Sequence, residues 1–333
     1  MNLKKFLRLA FGTALLFFMF SQLDTDLLVQ ILFNMNGLTF LVAVIFCGVA
    51  NFLCALRWES LSRAVGLNAL KKFFVSVYFE SIAANCVLPG GILGGDIWRT
   101  VRLARKKKCR IDLARNDPRT YKIQFLKLSG LSVLLDRIHG FWSLCIMGIS
   151  CFLMFFLFMP ETSTKFGNEH TSYLNQLFVY LMILVLIIFL PILVKLSILF
   201  TQINLTKMKV FIELTNKTAK NLWRVSNSKK IIVISLSSQI LFGLSFWICL
   251  YSIGVNLNIF LTLVLVPGIF LFASIPIAIA GFGPREAGSL IFLMPLSLNS
   301  EHIFISSVLF GLTSTILGVI TLLISLTNNL KKD

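Results

Sequence analysis

The fold of this chain is best approached from residues 85–99, which read N-C-V-L-P-G-G-I-L-G-G-D-I-W-R. The stretch lies in an apolar region, yet it contains residues that break helices. Pro89 lacks a backbone donor and clashes with the preceding turn, and the glycines after it permit conformations that other residues resist. Broken backbone cannot face lipid, because its amides would stay unpaired in hydrocarbon. We therefore expect the stretch to be buried in protein or to line a wet cavity.

A second stretch, residues 275–288, repeats the pattern as I-P-I-A-I-A-G-F-G-P-R-E-A-G. Gly94 follows Pro89 by five residues, and Gly281 follows Pro276 by the same interval. Two such broken segments in matching places are typical of a transporter site between structural repeats. The alternative is that each stretch is a helix kink that only packs. Both stretches end in charged residues, which are Asp96 and Arg99 in the first and Arg285 and Glu286 in the second.

The composition indicates a polytopic membrane protein. Hydrophobic residues make up 57% of the 333 residues, the mean hydropathy is +0.86, and charged residues contribute 14%. Soluble domains carry about 25% charged residues. The net charge of +17 is concentrated between apolar runs, as orientation by positive charge on the cytoplasmic side requires. We therefore predict no nucleic-acid partner.

The apolar runs predict six full spans and two re-entrant hairpins. Lys and Arg flank residues 73–98 on both sides, so this segment is predicted to enter and leave from the cytoplasm. Residues 260–284 are predicted to be re-entrant from the outside. Both termini and the basic loops 99–127 and 200–230 are placed in the cytoplasm. The predicted full spans are residues 6–22, 38–56, 128–159, 174–199, 231–254 and 303–326.

The order of these elements predicts an all-α fold with two inverted-topology repeats. Each half reads helix, helix, re-entrant segment, helix, and the first half begins inside whereas the second begins outside. This arrangement underlies alternating access in many transporters. We predict one integral membrane domain, residues 1–333, with repeat A at 1–160 and repeat B at 171–328.

Charged residues near the broken segments are the candidate substrate-binding residues. Asp136 and Arg137 point about 100° apart on a helix, so each needs another partner unless both are interfacial. Arg285 follows Pro284, which suits the first turn of a helix. The sequence is compatible with a phosphate site at this helix start and, equally, with an ordinary loop. The full set predicted to bind substrate is Asp96, Arg99, Asp136, Arg137, Arg285, Glu286, Gly94, Gly95, Gly281 and Gly283.

The sequence predicts no metal site, no cofactor and no catalytic constellation. The three histidines are scattered, and the seven cysteines include no C-x-x-C pair. Asp24 and Asp26 lie in the first predicted external loop, where some membrane glycosyltransferases place an acidic pair. A helix cap is the preferred interpretation, because Asp is a common capping residue.

Three motifs carry a resemblance to a known family. They are L-P-G-G-I-L-G-G-D-I-W-R at 88–99, L-L-D-R-I-H-G at 134–140 and the stretch at 275–288. Over about residues 50–330 the chain resembles the membrane domain of lysylphosphatidylglycerol synthases and its stand-alone relatives. The resemblance implies a multi-helix lipid flippase fold. It does not imply the synthase activity, which in the family belongs to a soluble aminoacyl-transfer domain that we do not expect here.

Together these features favour a lipid translocase of a bacterial inner membrane. The expected substrate is a phospholipid or a polyprenyl phosphate, and anionic lipids are expected at the basic loops. The alternatives are a membrane glycosyl- or phospholipid-modifying transferase, or a scaffold for one. A second copy of the chain or a membrane enzyme is a further candidate partner.

Overall fold

The computed structural model describes residues 23–87, 92–106, 118–158, 228–274 and 283–330. Regular structure in these ranges is helical. The helices are α1 Thr25–Phe33, α2 Gly37–Ala64, α3 Lys71–Val87, α4 Ile92–Ala104, α5 Pro118–Phe158, α6 Ser228–Ser252, α7 Ile259–Ala273, α8 Pro284–Leu293 and α9 Ser300–Leu330, with a short 3-10 helix at Met294–Leu296.

Four of the described helices are long and apolar enough to cross a membrane. A span needs about 20 predominantly apolar residues, and these four correspond to the spans predicted at 38–56, 128–159, 231–254 and 303–326. The spans predicted at 6–22 and 174–199 lie outside the described residues. The chain is therefore a multi-pass membrane protein. The four crossing segments are Gly37–Ala64, Phe125–Met154, Lys229–Ser252 and Ser300–Ser325.

Asp24 caps α1, as its position in the sequence predicts. Its Oδ1 atom accepts hydrogen bonds from the amide of Asp26 at 2.9 Å and from that of Leu27 at 3.2 Å. A capping carboxylate satisfies amides that have no partner inside the helix. The first predicted external loop, which contains Asp24 and Asp26, therefore includes a short helix.

The first broken segment forms a hairpin of two short helices, α3 and α4. The amide of Gly95 donates to Asn85 Oδ1 at 2.6 Å, and Arg102 Nε lies 3.0 Å from Glu80 Oε2 nearer the open end. A Cβ atom on Gly95 would lie 2.5 Å from the carbonyl oxygen of Ser81, so only glycine allows this approach. The second arm extends to residue 104, beyond the predicted end at 98, because the amphipathic helix continues without a breaker.

The second broken segment forms a matching hairpin of α7 and α8. Gly288 lies against the other arm, where an added Cβ atom would approach Phe272 Cβ to 2.8 Å. The predicted end of this segment, residue 284, is wrong: it is the start of the second arm, which ends at Leu293. Pro284 begins α8 because its fixed φ suits the first helical position, and Gly283 before it has a φ of 106°.

Helices α2 and α6 run antiparallel at the centre of the molecule. The amide of Asn36, at the start of α2, donates to the carbonyl of Ser252 at the end of α6 at 2.9 Å. Further along, Ser245 Oγ donates to the carbonyl oxygen of Ala43 at 2.8 Å. Because α3 follows the far end of α2 and α7 follows the far end of α6, the two hairpins begin at opposite ends of this pair.

The packing partners of α2–α5 are repeated by α6–α9. Within each set, the first helix packs on the first arm of its hairpin, the two arms pack together, and the second arm packs on the last helix. Between the sets, α5 packs on α7 and α9 packs on α3, so each last helix contacts the other set's hairpin. The two hairpins and the long helices therefore meet around a common centre.

Candidate functional site

A cavity of about 290 Å³ lies at this common centre. All eight helices from α2 to α9 contribute residues to its wall. The wall combines aromatic side chains such as Phe242 and Phe270 with polar ones such as Gln239. Its charged lining residues are Arg57, Arg99, Asp136, Arg137 and Arg285. Ligand sites in proteins have this mixed character, with a few placed polar groups in an apolar pocket.

Asp136 joins two arginines from different helices. Its Oδ1 accepts from Arg57 Nε at 2.7 Å, and its Oδ2 accepts from Arg99 Nη1 at 2.8 Å. The Asp136 side chain is 3% exposed, and those of Arg57 and Arg99 are 5% and 3% exposed. Isolated charges at this depth would be strongly unfavourable, so each group stabilises the others.

Asp96 extends the network toward a more accessible side. It accepts a hydrogen bond from Arg99 Nη2, and it receives Arg137 Nη2 at 2.8 Å and Arg137 Nε at 3.0 Å. The Arg137 side chain is 34% exposed, whereas that of Arg99 is 3% exposed. Asp136 and Arg137, which are neighbours in sequence, thus find separate partners, as their divergence on the helix predicts.

Aromatic rings fix the position of Arg99. The centre of its guanidinium lies 5.3 Å from the ring centroid of Trp58 and 4.9 Å from that of Tyr78. Such contacts stabilise a cation by about 0.5–2 kcal/mol, more when water is excluded. The Arg99 guanidinium is therefore held by two carboxylates and two rings at the cavity wall.

A second ion pair stands at the start of α8. Arg285 Nη2 lies 2.6 Å from Glu286 Oε1, and Glu286 Oε2 accepts from the amide of Gly283 at 2.6 Å. Ser307 on α9 is within 3.2 Å of both Arg285 Nε and Glu286 Oε1. At the helix start that was expected to bind phosphate, the amide of Gly283 thus already donates to Glu286. The charged residue of α8 that lines the cavity is Arg285.

Gly311 makes room for Arg285. A Cβ atom at this position would overlap the Arg285 guanidinium, which also lies 5.8 Å from the ring centroid of Phe310. The last helix is therefore shaped around this arginine.

The structure brings the charged residues predicted from the sequence to one place. Asp96, Arg99, Asp136 and Arg137 form a single network, and Arg285, which is paired with Glu286, lines the same cavity as Arg99, Asp136 and Arg137. Gly94 and Gly95 are buried in the first hairpin, Gly283 opens α8, and Gly281 lies outside the described residues. The role of these residues in substrate binding remains a prediction.

Arg57 is the member of the site that the sequence did not single out. It follows the span predicted at 38–56 and therefore resembles an ordinary cytoplasmic flank. In the structure α2 continues to Ala64, so Arg57 lies well inside the helix and is 4% exposed. Its partner Asp136 lies 79 positions further along the chain, so no local sequence pattern indicates the contact between them.

The described residues contain no group of three or more His, Cys, Asp or Glu side chains arranged to hold a metal ion. The three carboxylates at the site, on Asp96, Asp136 and Glu286, each accept hydrogen bonds from arginines. The arrangement is thus suited to hold an anionic group against guanidinium donors, since arginine binds phosphate through paired hydrogen bonds.

Comparison with protein families agrees with this architecture. A family model described as the lysylphosphatidylglycerol synthase TM region matches residues 5–321. The chain belongs to this family. Membership of the lysylphosphatidylglycerol synthase transmembrane family indicates a function connected with membrane lipids. The matched residues include both hairpins and all the residues that line the cavity. Neither the curated proteins nor the solved structures that were compared with the chain gave a match.

Proposed function

We propose that this protein is a translocase that moves the polar headgroup of a phospholipid or of a lipid-linked phosphate across the bacterial inner membrane. The observation that carries the proposal is the cavity between the two hairpins, whose wall bears four arginines and which is built within apolar helices. Charges at such depth are costly, and in membrane proteins they usually mark a substrate path.

The proposal includes an inverted-topology repeat, with α2–α5 in one half and α6–α9 in the other. It is supported by the antiparallel pair α2 and α6 and by the matching packing partners of the two sets. Two hairpins that enter from opposite faces would let the cavity open to each leaflet in turn, as alternating access requires. Both termini are then cytoplasmic, and the basic loops attract anionic lipids to that leaflet.

The different exposure of the cavity arginines is compatible with stepwise movement of a phosphate through the cavity. Arg137 is the most exposed of the cavity arginines, Arg99 is buried behind it, and Arg285 stands at the other hairpin. A phosphate would pass from one to the next, while Asp96 and Glu286 hold the arginines in place. The acyl chains would remain in the bilayer, because a cavity of about 290 Å³ has room for a headgroup only.

A transferase is less well supported by the same contacts. A general base needs a carboxylate or an imidazole within reach of the proton that it removes. In the described part of the site, the carboxylates of Asp96, Asp136 and Glu286 are engaged with arginines. These carboxylates act as supports for cations, which fits binding better than proton transfer.

The test is lipid movement in liposomes that contain the purified protein. Acyl-labelled phospholipids and polyprenyl phosphates placed in the inner leaflet are followed as they reach the outer leaflet, where albumin extracts them. We expect faster extraction of at least one lipid with the wild-type protein than with empty liposomes.

The informative variant neutralises the buried pair by Arg285→Gln with Glu286→Gln. Both charges are removed together, since a lone buried charge would destabilise the fold. The matched control is Arg63→Gln with Glu59→Gln, which removes an ion pair whose arginine is 50% exposed. We expect the first variant to lose transport and the control to keep it. Equal rates for wild type, both variants and empty liposomes with every lipid would reject the translocase.

A further inference from the structure

We infer that the cavity selects lipids whose headgroup carries one net negative charge, and that Arg57 donates a hydrogen bond to the phosphate of that headgroup. The inference rests on the proposed translocase and specifies its substrate class. Two independent observations lead to it: the balance of charges around the cavity, and buried guanidinium donors that lack a partner.

The balance of charges is the first observation. Among the described residues, four guanidinium groups meet at the cavity, and the carboxylates bonded to them are three, so one positive charge is in excess. The hairpin tips at 88–91 and 275–282 contain no charged residue in their sequence. One negative charge on a ligand would therefore neutralise the site. The charged groups are Arg57, Arg99, Arg137, Arg285, Asp96, Asp136 and Glu286.

The placement of the carboxylates sharpens this preference. Four arginines line the cavity, but Asp136 is the one carboxylate among its described lining residues. Asp96 and Glu286 contact the arginines without lining the cavity. Asp136 already accepts from Arg57 and Arg99. The ammonium group of a zwitterionic headgroup would thus meet guanidinium groups, which repel it.

Buried donors without a partner are the second observation. The Nη1 group of Arg57 and the Nε group of Arg99 are buried and have no hydrogen-bond partner among the described residues. A buried donor of this kind is unfavourable until a ligand or water supplies an acceptor. Both arginines belong to the cavity wall, so the missing acceptors are expected from the cavity itself.

Asp136 positions Arg57 for this role. It binds the Nε side of the guanidinium at 2.7 Å, which directs the Nη groups toward Gly140. A Cβ atom on Gly140 would lie 3.4 Å from Nη2 and 3.7 Å from Nη1, so this glycine leaves the Nη end uncovered. Both residues line the cavity. Phosphate oxygens are suitable acceptors, because guanidinium and phosphate match in geometry and charge.

Binding of short-chain lipids to the purified protein in neutral detergent tests the charge preference. Dihexanoyl forms of phosphatidylglycerol and phosphatidylmethanol carry one net negative charge and no ammonium group, and the phosphatidylcholine and phosphatidylethanolamine forms are zwitterionic. We expect both anionic lipids to bind about tenfold more tightly, or better, because their headgroups place no ammonium group against the guanidinium groups of the cavity. Agreement between the two anionic headgroups shows that charge decides, because their chemistry differs otherwise.

Charge-shift variants then test the origin of the preference. Arg137→Gln removes the excess positive charge at a half-buried position, so we expect the anionic preference to fall at least severalfold. Asp96→Asn adds one positive charge, and we expect phosphatidic acid, a phosphomonoester, to gain affinity relative to phosphatidylglycerol. Arg57→Lys keeps the charge but removes the fork of donors, so affinity for every phospholipid is expected to fall. The control is Arg102→Gln, whose side chain pairs with Glu80 outside the cavity.

The outcomes separate this inference from the proposed function. If lipids cross the membrane in the liposome assay but zwitterionic and anionic headgroups bind equally, the charge preference is wrong and the translocase stands. If anionic lipids bind preferentially and no lipid crosses, the translocase fails while the site is supported. An unchanged affinity in Arg57→Lys together with unchanged selectivity in Arg137→Gln would overturn the assignment of these residues.

Discussion

Replacement of Asp136 by asparagine removes the carboxylate that accepts hydrogen bonds from two buried arginines, Arg57 and Arg99. The change is nearly isosteric, so no cavity is created, and the helix around it is unaltered. It removes a negative charge whose side chain is 3% exposed and which receives Arg57 at 2.7 Å and Arg99 at 2.8 Å. Arg99 keeps Asp96 as a partner, whereas Arg57 has no other carboxylate within ion-pair distance among the described residues.

The expected cost follows from the burial of this pair. Breaking a buried ion pair by removal of one partner costs about 3–5 kcal/mol, because the remaining charge stays desolvated. An exposed pair contributes about 0–1 kcal/mol. The pair between Glu59 and Arg63, at 2.8 Å, provides the comparison within the same fold, because its arginine side chain is 50% exposed and its glutamate side chain 12% exposed. We therefore expect Asp136→Asn to lower the free energy of unfolding by several kcal/mol more than Glu59→Gln does.

The assay is the fraction of monodisperse protein that survives heating in detergent, measured by size-exclusion chromatography. A loss of this size should lower the midpoint by several degrees, at about 2 °C per kcal/mol for a large domain. The double variant Asp136→Asn with Arg57→Gln should recover part of the loss, because the orphaned cation is removed as well. If Asp136→Asn is as stable as Glu59→Gln, the buried network does not stabilise the fold as argued.

Two further predictions concern the backbone and the topology. Gly283→Ala should lower the heat-survival midpoint, because a φ of 106° is strained by about 1–2 kcal/mol for residues with a Cβ atom. The control is Gly37→Ala, which should leave the midpoint unchanged because a Cβ atom at this position would have no other atom within 4 Å. In a background without the seven native cysteines, Asn299→Cys should react with a membrane-impermeant thiol reagent from outside, whereas Asn68→Cys and Arg105→Cys should not. External labelling of either position beside the first hairpin would contradict the proposed orientation.

The sequence prediction agrees with the structure in the places where the helices are interrupted, and the reasons are local; that the two hairpins are re-entrant stays a prediction. Proline and glycine impose restrictions on their own backbone, so a break near Pro89 is readable without knowledge of the fold. The arm boundaries were less readable. The second hairpin was predicted to end at 284, yet α8 starts there and continues to Leu293. Pro284 is compatible with both the end of a loop and the start of a helix, and the buried contacts of Gly288 decide between them.

The arrangement of the charged residues could be predicted only in part. Adjacent charges on a helix must diverge, so separate partners for Asp136 and Arg137 follow from helical geometry. The identity of those partners does not, since Arg57 and Asp96 come from other helices. Arg57 was hidden because a basic residue near the end of an apolar run is the usual signal for the cytoplasmic face. Its role became visible when α2 proved to extend beyond it.

The carboxylates at this site give the arginines a property that a row of free cations would lack. An arginine that faced the cavity alone would have to lose water each time a headgroup arrived. Here Asp136, Asp96 and Glu286 form ion pairs with buried guanidinium groups. These guanidinium groups are therefore dehydrated and oriented when the protein folds. If the site binds a headgroup as proposed, the headgroup would meet donors that are already in place, which lowers the entropic cost of binding. In the proposed translocase, the single excess charge would keep the attraction modest, so that a translocated lipid could leave the site.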